Sequence, residues 1–221
     1  MNFQDKICPV ITSGDDEVIN LANKFKIVEL RIDFIGKSWI DVANRIKTTW
    51  IATCRSVREG GLFNGEDKEI VDILLQAIEV GASYVDIEIS LTNLSMAIKL
   101  LKSRGAKIIV SYHNFVETPS PEELVRIVKR EITYGAEVWK VATLARSYSD
   151  CIAILRLLTM FKEIPGIAIA MGDLGIITRI LSPLLGGFLT YASVKRELES
   201  AVGQLTVNEL LDTYSLLNET G

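Results

Sequence analysis

Short apolar runs recur along the chain, and between them lie longer stretches in which apolar residues return every three or four positions. The first pattern, bounded by turn residues, predicts strands, and the second predicts amphipathic helices. Eight strands are predicted, at 6–12, 27–34, 50–55, 84–89, 107–114, 137–144, 166–172 and 188–194. The helical periodicity is clearest in Glu69-Ile-Val-Asp-Ile-Leu-Leu-Gln-Ala-Ile78, Ala97-Ile-Lys-Leu-Leu-Lys-Ser-Arg104 and Glu122-Glu-Leu-Val-Arg-Ile-Val-Lys-Arg130. Gly81, Gly105 and Gly135 each close a helical run just before a strand, where a left-handed cap is wanted. Ser120-Pro121-Glu-Glu123 opens a helix with a cap, a proline in the first turn and carboxylates facing the dipole.

Helix, glycine, strand is the connection of a parallel sheet. Eight such units in 221 residues predict a single domain over 1–221 folded as a (β/α)8 barrel, the TIM-barrel form of the α/β class. An open doubly wound sheet fits less well, since no glycine-rich phosphate loop follows the first strand. The alternation inside the strands points the same way. In Glu29-Leu-Arg31-Ile-Asp33-Phe34 the charged residues share one face, and Asp86-Ile-Glu88-Ile89 repeats the pattern. A parallel strand covered on both sides should read as continuously apolar. The charged face is therefore assigned to a barrel lumen, which becomes a site where it opens at the C-terminal strand ends.

Composition narrows the function classes. A net charge of −4, spread without blocks, leaves no basic footprint for nucleic acid, so a small-molecule substrate is expected. Cys8, Cys54 and Cys151 make an odd set without metal-type spacing, and neither a metal nor an organic cofactor is expected. Met1-Asn-Phe-Gln-Asp-Lys6 lacks the layout of a signal peptide, and no apolar segment reaches the length of a membrane span. A soluble cytoplasmic protein is the expectation, and an exposed apolar helix face would suit a homodimer.

The chemistry concentrates in two strands. His113, the single histidine, ends Lys107-Ile-Ile-Val-Ser-Tyr-His113, and Lys140 is embedded in Val138-Trp-Lys140-Val-Ala-Thr143. An ammonium facing a barrel interior must be paired or lose its proton, and a neutral amine is a nucleophile. An amine beside an imidazole is equipped for imine chemistry with proton transfer at its side. The plainer readings are a lysine held by Asp86 or Glu88 and a histidine satisfied within the core. Arg55-Ser-Val-Arg-Glu59-Gly-Gly61 would bring an arginine and a carboxylate to the mouth after the third strand. Arg179, early in the helix after the seventh strand, would reach an anionic substrate or else simply face solvent. Ser200-Ala-Val-Gly-Gln204 has the polar, glycine-containing character of a lid. Asp33, Asp86 and Glu88 read foremost as counter-ions for the lumen's cations.

In order and spacing, Glu29-Leu-Arg31-Ile-Asp33, Arg55 to Gly61, Asp86-Ile-Glu88, Ser111-Tyr-His113-Asn-Phe115, Lys140-Val-Ala142, Met171-Gly172, Arg179 and Ser200 to Gln204 resemble the type I 3-dehydroquinate dehydratases over nearly the whole chain. The resemblance implies a hydro-lyase of the shikimate pathway that converts 3-dehydroquinate to 3-dehydroshikimate. It implies Lys140 as the Schiff-base lysine, His113 as general acid and base, and Glu59 as the carboxylate that orients the histidine. By the same resemblance Glu29, Arg31 and Arg55 surround substrate hydroxyls, while Arg179, Ser200 and Gln204 hold the substrate carboxylate. Ile169, Tyr191 and Val202 depart from the residues many members carry there, a change expected in pocket packing or lid stiffness. The rival readings are another imine-forming barrel, such as a class I aldolase or transaldolase, and a non-catalytic barrel that binds a carboxylated ligand.

Overall fold

All eight predicted strands form, in a computed structural model that describes residues 3–218. They are β1 (Ile7–Ile11), β2 (Ile27–Arg31), β3 (Thr49–Thr53), β4 (Tyr84–Glu88), β5 (Lys107–Asn114), β6 (Val138–Leu144), β7 (Gly166–Met171) and β8 (Thr190–Ser193). The α-helices among the described residues are α1 (Asp16–Ala22), α2 (Ile32–Ile35), α3 (Trp39–Ala43), α4 (Asp67–Val80), α5 (Leu94–Ser103), α6 (Pro121–Thr133), α7 (Tyr148–Met160), α8 (Ile176–Leu184) and α9 (Val207–Asn218). Every ladder is parallel, and the order is β7-β6-β5-β4-β3-β2-β1-β8. At the β7–β8 seam the Phe188 amide donates to the Gly166 carbonyl at 2.8 Å, so the (β/α)8 barrel is nearly closed. The outermost residues of the expected 1–221 domain, 1–2 and 219–221, lie outside the description.

The predicted helix signals are in place. Gly81, Gly105 and Gly135 all have positive φ, and the Ser120 hydroxyl accepts from the Glu123 amide. Two strands end earlier than their side-chain pattern suggests. β2 stops at Arg31, and Asp33 lies on α2 rather than on the charged strand face. There its carboxylate accepts two bonds from the Arg31 guanidinium, at 2.9 and 2.7 Å, and one from the Leu62 amide, which draws the chain out of the sheet. β3 stops at Thr53, which leaves Arg55 in the following loop. The Arg55 carbonyl accepts from the Phe63 amide, so the loop folds back on itself instead of extending the ladder.

Strand register layers the lumen. Cys8, Ile27, Ile51, Ile109, Val138, Ile167 and Leu189 pack into an apolar floor. Above it the strands divide: β2 to β6 contribute Glu29, Thr53, Asp86, Ser111 and Lys140, whereas β7, β8 and β1 contribute Ile169, Tyr191 and Val10. The outward faces, among them Val28, Leu30, Val85, Ile87, Ile108 and Val110, pack under the surrounding helices. Burial of these two apolar layers is the main stabilising term. Tyr148, Ile152 and Met160 are exposed at four- and eight-residue spacing along α7, the kind of apolar helix face on which a homodimer was expected. No helix among the described residues is long and apolar enough to cross a membrane.

Behind Lys140, the fully buried Glu131 of α6 accepts the Lys140 backbone N–H through one carboxyl oxygen at 3.2 Å, while the other has no partner. Burial pushes this carboxyl well above the usual range, so the folded protein holds a proton that the unfolded chain releases. Its stabilising contribution is full below the ordinary glutamate value and is lost as pH rises toward the raised one, at about 1.4 kcal/mol per pH unit. Glu131→Gln keeps the acceptor and removes the titration. Urea unfolding at pH 5 and pH 7 should show the variant gaining on the parent with rising pH, and parallel stabilities would reject a neutral Glu131.

Candidate active site

The ionic layer is built around one carboxylate. Asp86 accepts from Lys140 Nζ at 2.7 Å through Oδ2, and from Arg55 Nη2 and Ser111 Oγ at 2.6 Å each through Oδ1. Burial alone would raise its pKa, but Arg55 and Lys140 outweigh that and hold it far below the carboxylate range. The Arg55 charge, disfavoured by burial, is likewise held in place by Asp86, Glu59 and Glu88. Of the two structural partners foreseen for Lys140, Asp86 is taken and Glu88 is not. Glu88 accepts both the amide and the hydroxyl of Ser56 at 2.7 Å, which pins the loop carrying Glu59. Lys140 Nζ also lies 3.6 Å from Glu29, whose position is fixed by Thr53 Oγ1 at 2.9 Å, and sits 4.4 Å from the centre of the Tyr191 ring.

His113 stands two residue pairs further along the β5·β6 ladder: Ser111 pairs with Lys140, and His113 with Ala142. Its Nδ1 meets Glu59 Oε2 at 2.9 Å. Burial, reinforced by the nearby Arg55 and Lys140 cations, pushes the imidazole well below its ordinary value and keeps it neutral. When Glu59 is ionised it takes the Nδ1–H bond, and the lone pair of Nε2 is then free. Burial, with help from Glu88 and against Arg55, raises the Glu59 carboxyl to about 7. Phe115 stacks near the imidazole, with ring centres 6.5 Å apart, and its ring occupies the space that a side chain at Gly60 would fill. Gly60, at φ 75°, is thereby required twice over.

Arg179 is buried on α8 with its Nε unpartnered. Burial pushes its pKa down to about 10, with Glu199 opposing, so it is a cation short of counter-charge. The segment after β8 folds over it. Gln204 Oε1 accepts from the Ser200 amide at 2.8 Å and from the Ser200 hydroxyl at 3.1 Å, and the Gly172 amide donates to the Val202 carbonyl. A side chain at Gly203 would strike the Gly172 carbonyl, so the segment can lie this close only with glycine there.

All nine residues singled out for the site from the sequence, Glu29, Arg31, Arg55, Glu59, His113, Lys140, Arg179, Ser200 and Gln204, line one cavity at the C-terminal mouth. Lys140 therefore keeps access despite its ion pair. Tyr191 also lines the cavity, and Ser111 lies behind it, bonded to Asp86 and Arg55; neither is assigned to the site by the sequence. Ser111 was visible only as one of the quoted markers, and Tyr191 only as a departure from the expected residue. Among the described residues no group of His, Cys, Asp and Glu is arranged to hold a metal ion.

A parallel barrel whose polar side chains converge from several strands and loops at this end defines a (β/α)8-barrel enzyme. The chain belongs to the type I 3-dehydroquinase family, whose model matches residues 8–220. It is 39% identical over 216 residues to the 3-dehydroquinate dehydratase of Dehalococcoides mccartyi, with 96% of each chain covered. It is 36% identical over 222 residues to that of Methanocaldococcus jannaschii, covering 96% of this chain and 99% of the relative. The structure of the 3-dehydroquinate dehydratase from Geobacillus kaustophilus matches with a TM-score of 0.85 at 27% identity, over 97% of this chain and 91% of that one. A deoxyribose phosphate aldolase from Aeropyrum pernix, at 18% identity, a TM-score of 0.63 and 86% of each chain, shares the fold alone.

Proposed function

We propose that this chain dehydrates 3-dehydroquinate to 3-dehydroshikimate through an imine on Lys140, with His113 as acid and base. The observation that carries the reading is the shared cavity: in a member of this family, the amine and the imidazole line one site from neighbouring strands.

Before attack, the Lys140 ammonium must lose a proton. Asp86, held far below the carboxylate range, is a poor acceptor, and neutral His113 is the base at hand. Nζ then adds to the ketone carbon, and the imidazolium returns its proton to the departing hydroxyl, which leaves as water and gives a protonated imine beside a neutral His113. This cation draws electrons from the neighbouring C–H bond, so an imidazole can remove the proton and leave an enamine. The enamine expels the hydroxyl one carbon further on, protonated by the imidazolium, and a conjugated imine results. Water adds to that imine, the product departs and Lys140 is restored, so that one molecule of water is lost overall.

The other residues hold the substrate. Arg179, with Ser200 and Gln204, supplies the carboxylate site, where a guanidinium can make a paired contact. Glu29, Arg31 and Arg55 face the hydroxyls. Glu59 keeps Nδ1 of His113 protonated and compensates its charge during transfer. An aldolase reading has fold likeness alone behind it.

Incubation with 3-dehydroquinate and borohydride should add a substrate-sized mass to the peptide containing Lys140. An unlabelled peptide, under conditions in which a known imine-forming enzyme is labelled, would overturn the mechanism.

A further inference from the structure

Glu59 uses both carboxyl oxygens, and only one of them meets the histidine. Oε2 contacts His113 Nδ1 at 2.9 Å, and Oε1 accepts the Ser90 hydroxyl at 2.5 Å. Ser90 lies two residues past β4, the strand that lies between β3, whose loop carries Glu59, and β5, which carries His113. The three side chains therefore form a line across three neighbouring strand ends. A carboxylate bonded through one oxygen can swing about its Cγ–Cδ bond, whereas one held through both presents its second oxygen in a fixed direction.

We infer that Ser90 is a positioning residue for His113, acting through Glu59, in the reaction proposed above. The hydroxyl bonds an anionic oxygen more strongly than a neutral one, so it favours the ionised form of Glu59 and, through it, the His113 tautomer that leaves Nε2 free. Other charges bear on the pair. Arg55 lies 3.8 Å from Glu59 and favours its anion, whereas Glu88 and Asp86 on β4 disfavour it. Lys140 and Arg31 oppose a charge on His113, and Asp86 favours it. Glu131, on α6, is disfavoured as an anion by burial and by Asp86 and Glu59, and held neutral it adds no charge to the pair. None of these groups contacts Oε1, and Ser90 is its hydrogen-bond donor. Ser90 is exposed at the rim, so exchanging it leaves the core packing intact.

The test is the pH profile of kcat/KM for 3-dehydroquinate in the parent, Ser90→Ala and Ser90→Thr. Removal of the donor should move the acid limb of Ser90→Ala upward by roughly half a pH unit, as expected for one lost hydrogen bond. It should also lower kcat about threefold to tenfold while KM stays near the parent value, because the substrate contacts are untouched. Ser90→Thr keeps a hydroxyl and should restore the limb. Superimposable profiles for the parent and Ser90→Ala would overturn the inference, as would equal shifts in Ser90→Ala and Ser90→Thr. A parent that does not turn over 3-dehydroquinate would instead remove the underlying reading of function, so the two failures are distinct.

Discussion

Lys140→Ala should lose at least roughly a thousandfold in turnover of 3-dehydroquinate, because the covalent route disappears with the amine. The variant should nonetheless fold. Asp86, the carboxylate that pairs with Lys140, keeps Arg55 and Ser111 at 2.6 Å, and Glu29 keeps the Thr53 hydroxyl at 2.9 Å, so both carboxylates retain a hydrogen-bond donor after the exchange. Formation of the conjugated product can be followed by ultraviolet absorbance, with circular dichroism as the check on folding. A folded Lys140→Ala protein retaining activity within tenfold of the parent would show that the amine is not the nucleophile.

His113→Ala should behave differently. General acid–base catalysis is worth about a hundredfold to ten-thousandfold, so turnover should fall by that order. Lys140 remains, and the imine can still form slowly. Because release of the product imine also requires proton transfer, the covalent adduct should accumulate and be visible by mass spectrometry without reduction. Parent-like turnover would remove the acid and base role, and slow turnover with no adduct would place the histidine earlier, in activation of the amine.

Much of this arrangement is legible in the residues alone. Charged residues on one face of a predicted parallel strand, at Glu29 and Arg31 and again at Asp86 and Glu88, have no place in a sheet covered on both sides, and that conflict identifies the lumen. Polar residues arriving from successive strands then indicate which end works. What the pattern cannot carry is the choice of partner. Asp86 meets Lys140 and Arg55 because register sets β3 to β6 side by side at particular heights, and period-two alternation says nothing about height across strands. Glu88, an equal candidate by sequence, accepts instead from Ser56 in the loop after β3. Asp33 and Arg55 extend an apparent strand pattern into a short helix and a loop, because alternation persists where backbone pairing has already been diverted. Ser90 gives no signal at all, since a lone serine after a strand is ordinary turn composition.

The sharing of Asp86 between two cations has a kinetic corollary. In the proposed mechanism the lysine nitrogen passes from ammonium to iminium to uncharged enamine and back, so its countercharge is needed only part of the time. A partner serving the lysine alone would be left as a bare anion at each neutral stage, and the interior would resist every such passage. With the guanidinium permanently at 2.6 Å, the nitrogen can discharge and recharge while the barrel's electrostatic ground level hardly moves.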